Sequence, residues 1–486
     1  MASGHCRSLR DGPDAHSRHL RTVRVVDAQG AAHAQTDLDC EGSIYMGESK
    51  KKQASIFELD GVPSLGQAAP LAMQHVVAMI VGCVTPAIIV AGAGGLDGRD
   101  RVMLIQAALV VSALSTYLQL FPIGKKGGFR LGSGLPVIMG VSFAYVASMQ
   151  AIAADIGVAA IFGAQIVGGI IAAVIGFFID KIRKLFPPLV TGTVVFTIGL
   201  SLYPTAINYM AGGASSPSYG SWQNWLVAFL TLAIVTFLNH FTKGFLKLSS
   251  ILIGIIGGYI LGCFFGMVDL SAVSSASFFQ APNIAHFGVA FEPSSCVAIG
   301  LLFAINAIQA IGDFTATTTG SMDREPTDKE LKGAIVGYGL TNVLGAFLGG
   351  LPTATYSQNV GIVTTTKVIN RVVLGLGATI LLVAGLIPKF SALLTTIPQC
   401  VLGGATISVF ASIAMTGIKL ITSQEMHYRN MSVVGLAVAI GVGVTQASAS
   451  LAQFPAWVTT IFGKSPVVIA TIAAVFLNTV LPKQRS

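Results

Sequence analysis

The chain has 486 residues, of which 53% are hydrophobic and only 10% charged, and its mean hydropathy is +0.74. Soluble domains carry about a quarter charged residues, so a water-soluble enzyme is excluded. The apolar residues instead recur in runs of about 20, each able to cross a hydrocarbon core of ~30 Å as a helix. The formal charge of +8 lies in loops and tails and forms no basic face with interleaved aromatics, which excludes nucleic acid as a partner. Many runs exclude a single-span receptor and leave a polytopic protein whose main partner is the lipid bilayer. Fifty-five glycines against three tryptophans point to helices that pack backbone to backbone and break locally, as in transport proteins. Six cysteines, at 6, 40, 83, 263, 296 and 400, show no paired spacing and indicate neither a zinc site nor a disulfide framework.

Residues 1–62 are polar, mix both charges and hold no apolar stretch of signal-peptide length. They are expected to form a disordered cytoplasmic tail. Arg7, Arg10, Arg18, Arg21 and Arg24 precede the first lysine, Lys50. This compositional break suggests a natural start nearer Met46, which deletion of residues 1–45 would test through membrane expression. Spans follow near 69–91, 102–121, 133–152, 156–179, 186–207, 222–240, 246–268, 296–319, 332–350, 352–367, 371–388, 399–420, 430–450 and 465–482, about fourteen crossings in all. The connections that are even-numbered from a cytoplasmic N-terminus carry Lys125, Lys126, Arg130, Lys181, Arg183, Lys184, Lys243, Lys247, Arg324, Lys329, Lys332, Lys367, Arg371, Lys419 and Arg429. The odd-numbered ones carry only Arg99, Arg101, Lys389 and Lys464. This alternation places both termini, including the short tail at 483–486, on the cytoplasmic side of a cell membrane.

An internal repeat runs through these spans. Gly134-Leu135-Pro136 opens the third and Gly350-Leu351-Pro352 the tenth. In the fifth and twelfth, Pro187, Val190 and Gly192 match Pro398, Val401 and Gly403 at a constant offset of 211. Two halves of seven spans each have opposite orientation, the arrangement of an inverted-repeat transporter with its binding site at the midplane among broken spans. The run Pro352-Thr-Ala-Thr-Tyr-Ser-Gln-Asn-Val-Gly361 is a poor continuous helix, tolerated at membrane depth only where it lines a cavity or is buried by protein. Pro136–Tyr145 is its partner across the axis.

The chemistry concentrates there. Gln358 and Asn359 are adjacent amides suited to the mixed donor and acceptor edge of a planar heterocycle; tying broken backbone together is the alternative. Phe143 and Tyr145 offer rings for stacking or for ordinary core packing. Asp313 is the one acidic residue well inside a span, a functional candidate by its cost or a brace for neighbouring backbone. His75 is the one mid-span imidazole, either a hydrogen-bonded core histidine or a proton relay.

At these residues the sequence resembles the nucleobase-ascorbate transporter family, over about Pro63 to Pro482. The family signature, Gln-Asn-x-Gly-x4-Thr and a basic or small residue, is matched by Gln358, Asn359, Gly361, Thr366 and Lys367. Gln74-His75, Ser142-Phe143 and Gly312-Asp313 also match family positions. The resemblance implies an all-α membrane domain over 63–482 with a 7+7 inverted repeat. It implies a core of spans at 69–179 and 296–388, a gate of spans at 186–268 and 399–482, short strands in the third and tenth spans, and a homodimer. It also implies a substrate site of Gln358, Asn359, Gln309, Phe143, Ser142 and Gly361, with Asp313 and His75 in ion-coupling or structural roles.

Two departures bear on coupling. Purine-transporting relatives usually hold a glutamate where this chain has Gln309, and a second family carboxylate is replaced at about Tyr338. The family's branches imply xanthine or uric acid as the substrate, carried by proton symport with no cofactor and with the proton, or sodium, as the coupling ion. A uracil or other nucleobase permease and an anion exchanger of the same fold are the alternatives; a membrane enzyme lacks the clustered titratable groups it would need.

Overall fold

The computed structural model describes residues 21–24, 35–38, 55–124, 129–179, 187–214, 216–455, 458–459, 462–463 and 465–482. The chain divides into two compact units, Met1–Gln53 and Ala54–Ser486. The first contributes β1 (Arg21–Arg24) and β2 (Gln35–Leu38), an antiparallel pair in which Arg21 stands opposite Leu38. Most of the tail expected to be disordered, and the alternative start at Met46, lie outside the described residues.

The second unit is helical: α1 (Leu65–Ala93), α2 (Gly98–Leu120), α3 (Val146–Asp155), α4 (Val158–Phe177), α5 (Pro188–Met210), α6 (Trp222–Phe241), α7 (Ser250–Phe264), α8 (Pro293–Met322), α9 (Asp328–Phe347), α10 (Ser357–Thr366), α11 (Arg371–Gly385), α12 (Pro388–Thr395), α13 (Gln399–Thr422), α14 (Tyr428–Gln446) and α15 (Pro466–Val480). Each expected crossing falls on one of these or on a strand followed by a helix. Among the described residues eight helices are long and apolar enough to cross a membrane, or nine if α11 and α12, bent by 81°, count as one broken span. The third and tenth crossings are short of that length because each starts as a strand.

Local chemistry sets the ends. Asp97 caps α2 by accepting from Asp100 N at 2.8 Å, and Asn370 caps α11 by accepting from Val372 N and Val373 N. Thr327 and Glu330 form a reciprocal capping box on α9. Proline stands in the first turn of α5, α8, α12 and α15, where the missing N–H costs nothing.

Residues 55–62, expected within the polar tail, bond to the start of α11. Asn370 Nδ2 donates to Glu58 O and Gly61 O at 3.1 Å, Arg371 N donates to Leu59 O at 3.1 Å, and Arg371 Nη1 pairs with Asp60 at 2.7 Å. Residues 55–62 are thus strapped to the start of α11 by backbone carbonyls, a role their polar side chains do not advertise.

Glycine brings the helices together. A Cβ on Gly169 would sit 2.7 Å from Gly339 O, and one on Gly339 would sit 2.4 Å from Gly169 O, so α4 and α9 meet backbone to backbone. The contact between α5 and α13 displays the repeat directly. A Cβ on Gly192 would lie 2.9 Å from Gly417 O, and one on Gly403 would lie 2.9 Å from Ala206 O. Gly192 and Gly403 differ by 211 positions, as do Ala206 and Gly417, so each helix sets its first glycine against the last turns of the other. That reciprocal, antiparallel contact is what an inverted repeat requires.

Candidate functional site

The centre of the molecule is built from two broken spans. Strand β3 (Met139–Val141) pairs antiparallel with β4 (Thr353–Thr355), Met139 opposite Thr355 and Val141 opposite Thr353. The ladder closes symmetrically, since Ser142 N donates to Pro352 O and Tyr356 N donates to Ile138 O, both at 3.0 Å. Each strand turns at once into a helix, a 3-10 turn at Phe143–Tyr145 leading into α3, and α10 at Ser357. Two strands satisfy each other's backbone at a depth where nothing else could, and two helix N-termini then face one space.

That space is a cavity of about 210 Å3, below the ~300–1,000 Å3 of drug-sized sites and suited to a small ligand. Ser142, Phe143 and Ala144 form one side, Thr355, Ser357 and Gln358 the second, Gln309 of α8 the third, and Val195, Ile198, Ser412 and Thr416 of α5 and α13 the fourth. Phe143 is fixed edge-on to Phe410, with centroids 5.2 Å apart. Among the described residues no hydrogen bond of the protein engages the Gln309 or Gln358 side chains, which leaves both amides for a ligand.

Asp313 stands behind this wall. Its carboxylate accepts a short hydrogen bond from Thr355 Oγ1 and accepts from Ser357 Oγ at 3.0 and 3.2 Å. Among the described residues no basic side chain pairs with it. The group is therefore held by two hydroxyls of the strand-to-helix junction, and it joins α8 to the cavity wall.

Of the residues singled out by the sequence, Ser142, Phe143, Gln309 and Gln358 meet at the cavity. The others do not. Asn359 is fully buried on the far side of α10, where Nδ2 contacts His75 Nδ1 at 3.1 Å and donates to His75 O at 3.2 Å. Successive residues of a helix point about 100° apart, so neighbouring amides cannot both face one ligand. His75 is buried and takes this partner. Gly361 is exposed one turn on, away from the cavity lining. Thr366 bonds back to Ile362 O at 2.8 Å, and Lys367 ends α10 at a φ of 59° while its ammonium donates to Gly320 O of α8. Thr366 and Lys367 therefore stop the helix and tether it. Tyr145 does not stack in the cavity; it is buried against Phe303 and shares a 2.5 Å hydrogen bond with Tyr338.

Sequence reading missed Thr355, Ser357, Ser412 and Thr416 as lining residues. A signal existed for the last two: Ser-Ile-Ala-Met-Thr at 412–416 repeats Ser-Leu-Tyr-Pro-Thr at 201–205 with the same offset of 211. The earlier pair is turned away, Thr205 Oγ1 donating to Gln150 Oε1 of α3 at 3.1 Å.

Comparison with known proteins agrees with this architecture. A family model described as "Permease family" matches residues 66–450. The chain is 35% identical over 414 residues to the uric acid permease PucK of Bacillus subtilis, covering 85% of this chain and 95% of that one. It is 34% identical over 418 residues to the xanthine permease of the same organism, covering 85% and 94%. In structure it is similar to the transmembrane domain of a cyanobacterium bicarbonate transporter, BicA, with a TM-score of 0.55 at 18% identity over 84% of this chain and 97% of that one. At that identity the likeness concerns the fold alone.

Proposed function

The chain belongs to the Permease family whose model it matches, the nucleobase-ascorbate transporter family, and from that premise we propose that it carries an oxidised purine, xanthine or uric acid, across the cell membrane. It is a multi-pass membrane transporter and not an enzyme, and its substrate class is the nucleobases. The observation that carries the finer reading is the pair of unengaged amides, Gln309 and Gln358, beside the Phe143 ring in a small cavity. Amides read the alternating N–H and C=O groups of a lactam edge, and the ring covers a flat face.

The residue at 309 favours an oxidised purine. A glutamine there keeps the hydrogen-bonding part of a carboxylate's role and removes a negative charge that would repel a ligand partly anionic at neutral pH. Among the described residues Asp313 is then the one carboxylate beside the cavity, and we assign it the coupling proton. Its hydroxyl partners tie its protonation to the wall that touches the ligand. The carrier works by alternating access, as a homodimer with both termini cytoplasmic, with the repeat-related groups at 69–179 and 296–388 moving against those at 186–268 and 399–482.

Binding to the purified protein tests the site. Xanthine or urate should raise the unfolding temperature of the intact chain and not that of Gln358→Ala, while uracil and bicarbonate should leave both unchanged. Stabilisation by bicarbonate alone would move the assignment to an anion exchanger.

A further inference from the structure

Four of the hydroxyls that border the cavity, those of Thr355, Ser357, Ser412 and Thr416, spend their hydrogens on the protein. Thr355 and Ser357 donate to the Asp313 carboxylate. On the opposite wall, Ser412 Oγ donates to Ser408 O and Thr416 Oγ1 donates to Ser412 O, both at 2.9 Å along α13. A hydroxyl has one hydrogen and two lone pairs, so each of the four turns only acceptor capacity toward the ligand. On α13 the two stand one turn apart on the same face, and both are exposed and border the cavity. The facing residues of α5, Val195 and Ile198, are apolar and add nothing polar. The side-chain donors left in the cavity are the Gln309 and Gln358 amides and the Ser142 hydroxyl, whose oxygen accepts from Ala144 N.

We propose that Ser412 and Thr416 are specificity-determining residues that select the ligand by its N–H donors. The α13 wall offers acceptors alone, so it favours a base that turns a ring N–H toward it. This deepens the reading of the site as one for an oxidised purine. Each added lactam supplies one C=O for an amide and one N–H for a hydroxyl oxygen, which ranks a purine oxidised at three carbons at or above one oxidised at two, and both above one oxidised at a single carbon. An N–H that is lost leaves a desolvated hydroxyl oxygen without its partner, and such a loss discriminates more sharply than a change in apolar contact.

The test is competition for labelled xanthine uptake by xanthines methylated singly at each ring nitrogen, in the native chain and in Thr416→Val. Valine keeps the volume of threonine and removes the acceptor. In the native chain at least one N-methyl position facing α13 should weaken competition about three- to tenfold. In Thr416→Val xanthine itself should weaken by a similar factor, and the penalty at that methyl position should shrink toward one. Thr416→Ser, which restores the oxygen, should recover the native pattern and shows whether the valine variant merely folds poorly. A methyl penalty unchanged in Thr416→Val would make the wall a steric one and overturn the proposal, as would equal competition by all N-methyl xanthines. Failure of xanthine to be taken up by the native chain would instead contradict the purine assignment itself.

Discussion

At the scale of single residues, the neighbouring signature amides have different tasks. Gln358 faces the cavity, whereas Asn359 holds His75 from the buried side of α10. Replacing Gln358 by Glu should therefore shift base preference or abolish uptake with the protein still folded, as competition assays and unfolding curves would show together. Asn359→Ala leaves buried groups of His75 unpartnered at a cost of ~1–3 kcal/mol. Its unfolding temperature should fall while the affinity of the surviving protein for xanthine stays native, and a selective loss of affinity would return Asn359 to the binding site. Asp313→Asn should uncouple uptake from the proton gradient, and a fully active, still coupled variant would give the carboxylate a purely structural role. Residue types were legible in the sequence because intramembrane polar groups are few. Which face each occupied was not, since that depends on the 100° step along α10 and on where β4 ends.

At the scale of elements, close backbone contact and capping make separate claims. Gly403→Leu would put a side chain where even a Cβ lies 2.3 Å from Met210 N, so α5 and α13 must part. The loss should exceed the ~1–3 kcal/mol of ordinary overpacking and show as failure to accumulate folded protein. Gly98→Ala, with nothing within 4 Å of the new atom, should be tolerated. Helix α8 begins with Glu292. Burial pushes its carboxyl up, but hydrogen bonds from Ser294 and Ser295 outweigh that and hold it at about 2, below its ordinary 4.5. The folded value is the lower one, so the cap contributes stability that is present above about 4.5 and is lost as pH falls through about 2. Glu292→Gln should lower the unfolding temperature at neutral pH and flatten its decline across that range. Proline, serine and threonine marked the broken spans in the sequence, and the strands at Met139–Val141 and Thr353–Thr355 are how those breaks are satisfied. Residues 55–62 escaped notice because the strap is made by their carbonyls.

At the scale of the whole molecule, composition marked a multi-pass membrane protein, and the offset of 211 located an interface where the halves mirror each other, the contact of α5 with α13. The repeat also explains a difference between its halves. Ser412 and Thr416 line the cavity, whereas their counterparts Ser201 and Thr205 do not, Thr205 being engaged by Gln150. The halves therefore differ at this pair of positions, the kind of asymmetry that the proposed alternating access needs.

The account's central claim, a proton-coupled carrier of oxidised purines, is tested most directly by uptake of labelled xanthine. The host is a bacterium lacking its own purine permeases, with unlabelled urate, hypoxanthine, uracil and ascorbate as competitors, before and after collapse of the proton gradient. The account predicts saturable uptake blocked by urate more than by hypoxanthine, unaffected by uracil or ascorbate, and lost with the gradient. Uptake of no base, or xanthine uptake that persists unchanged after the gradient is collapsed, would contradict it.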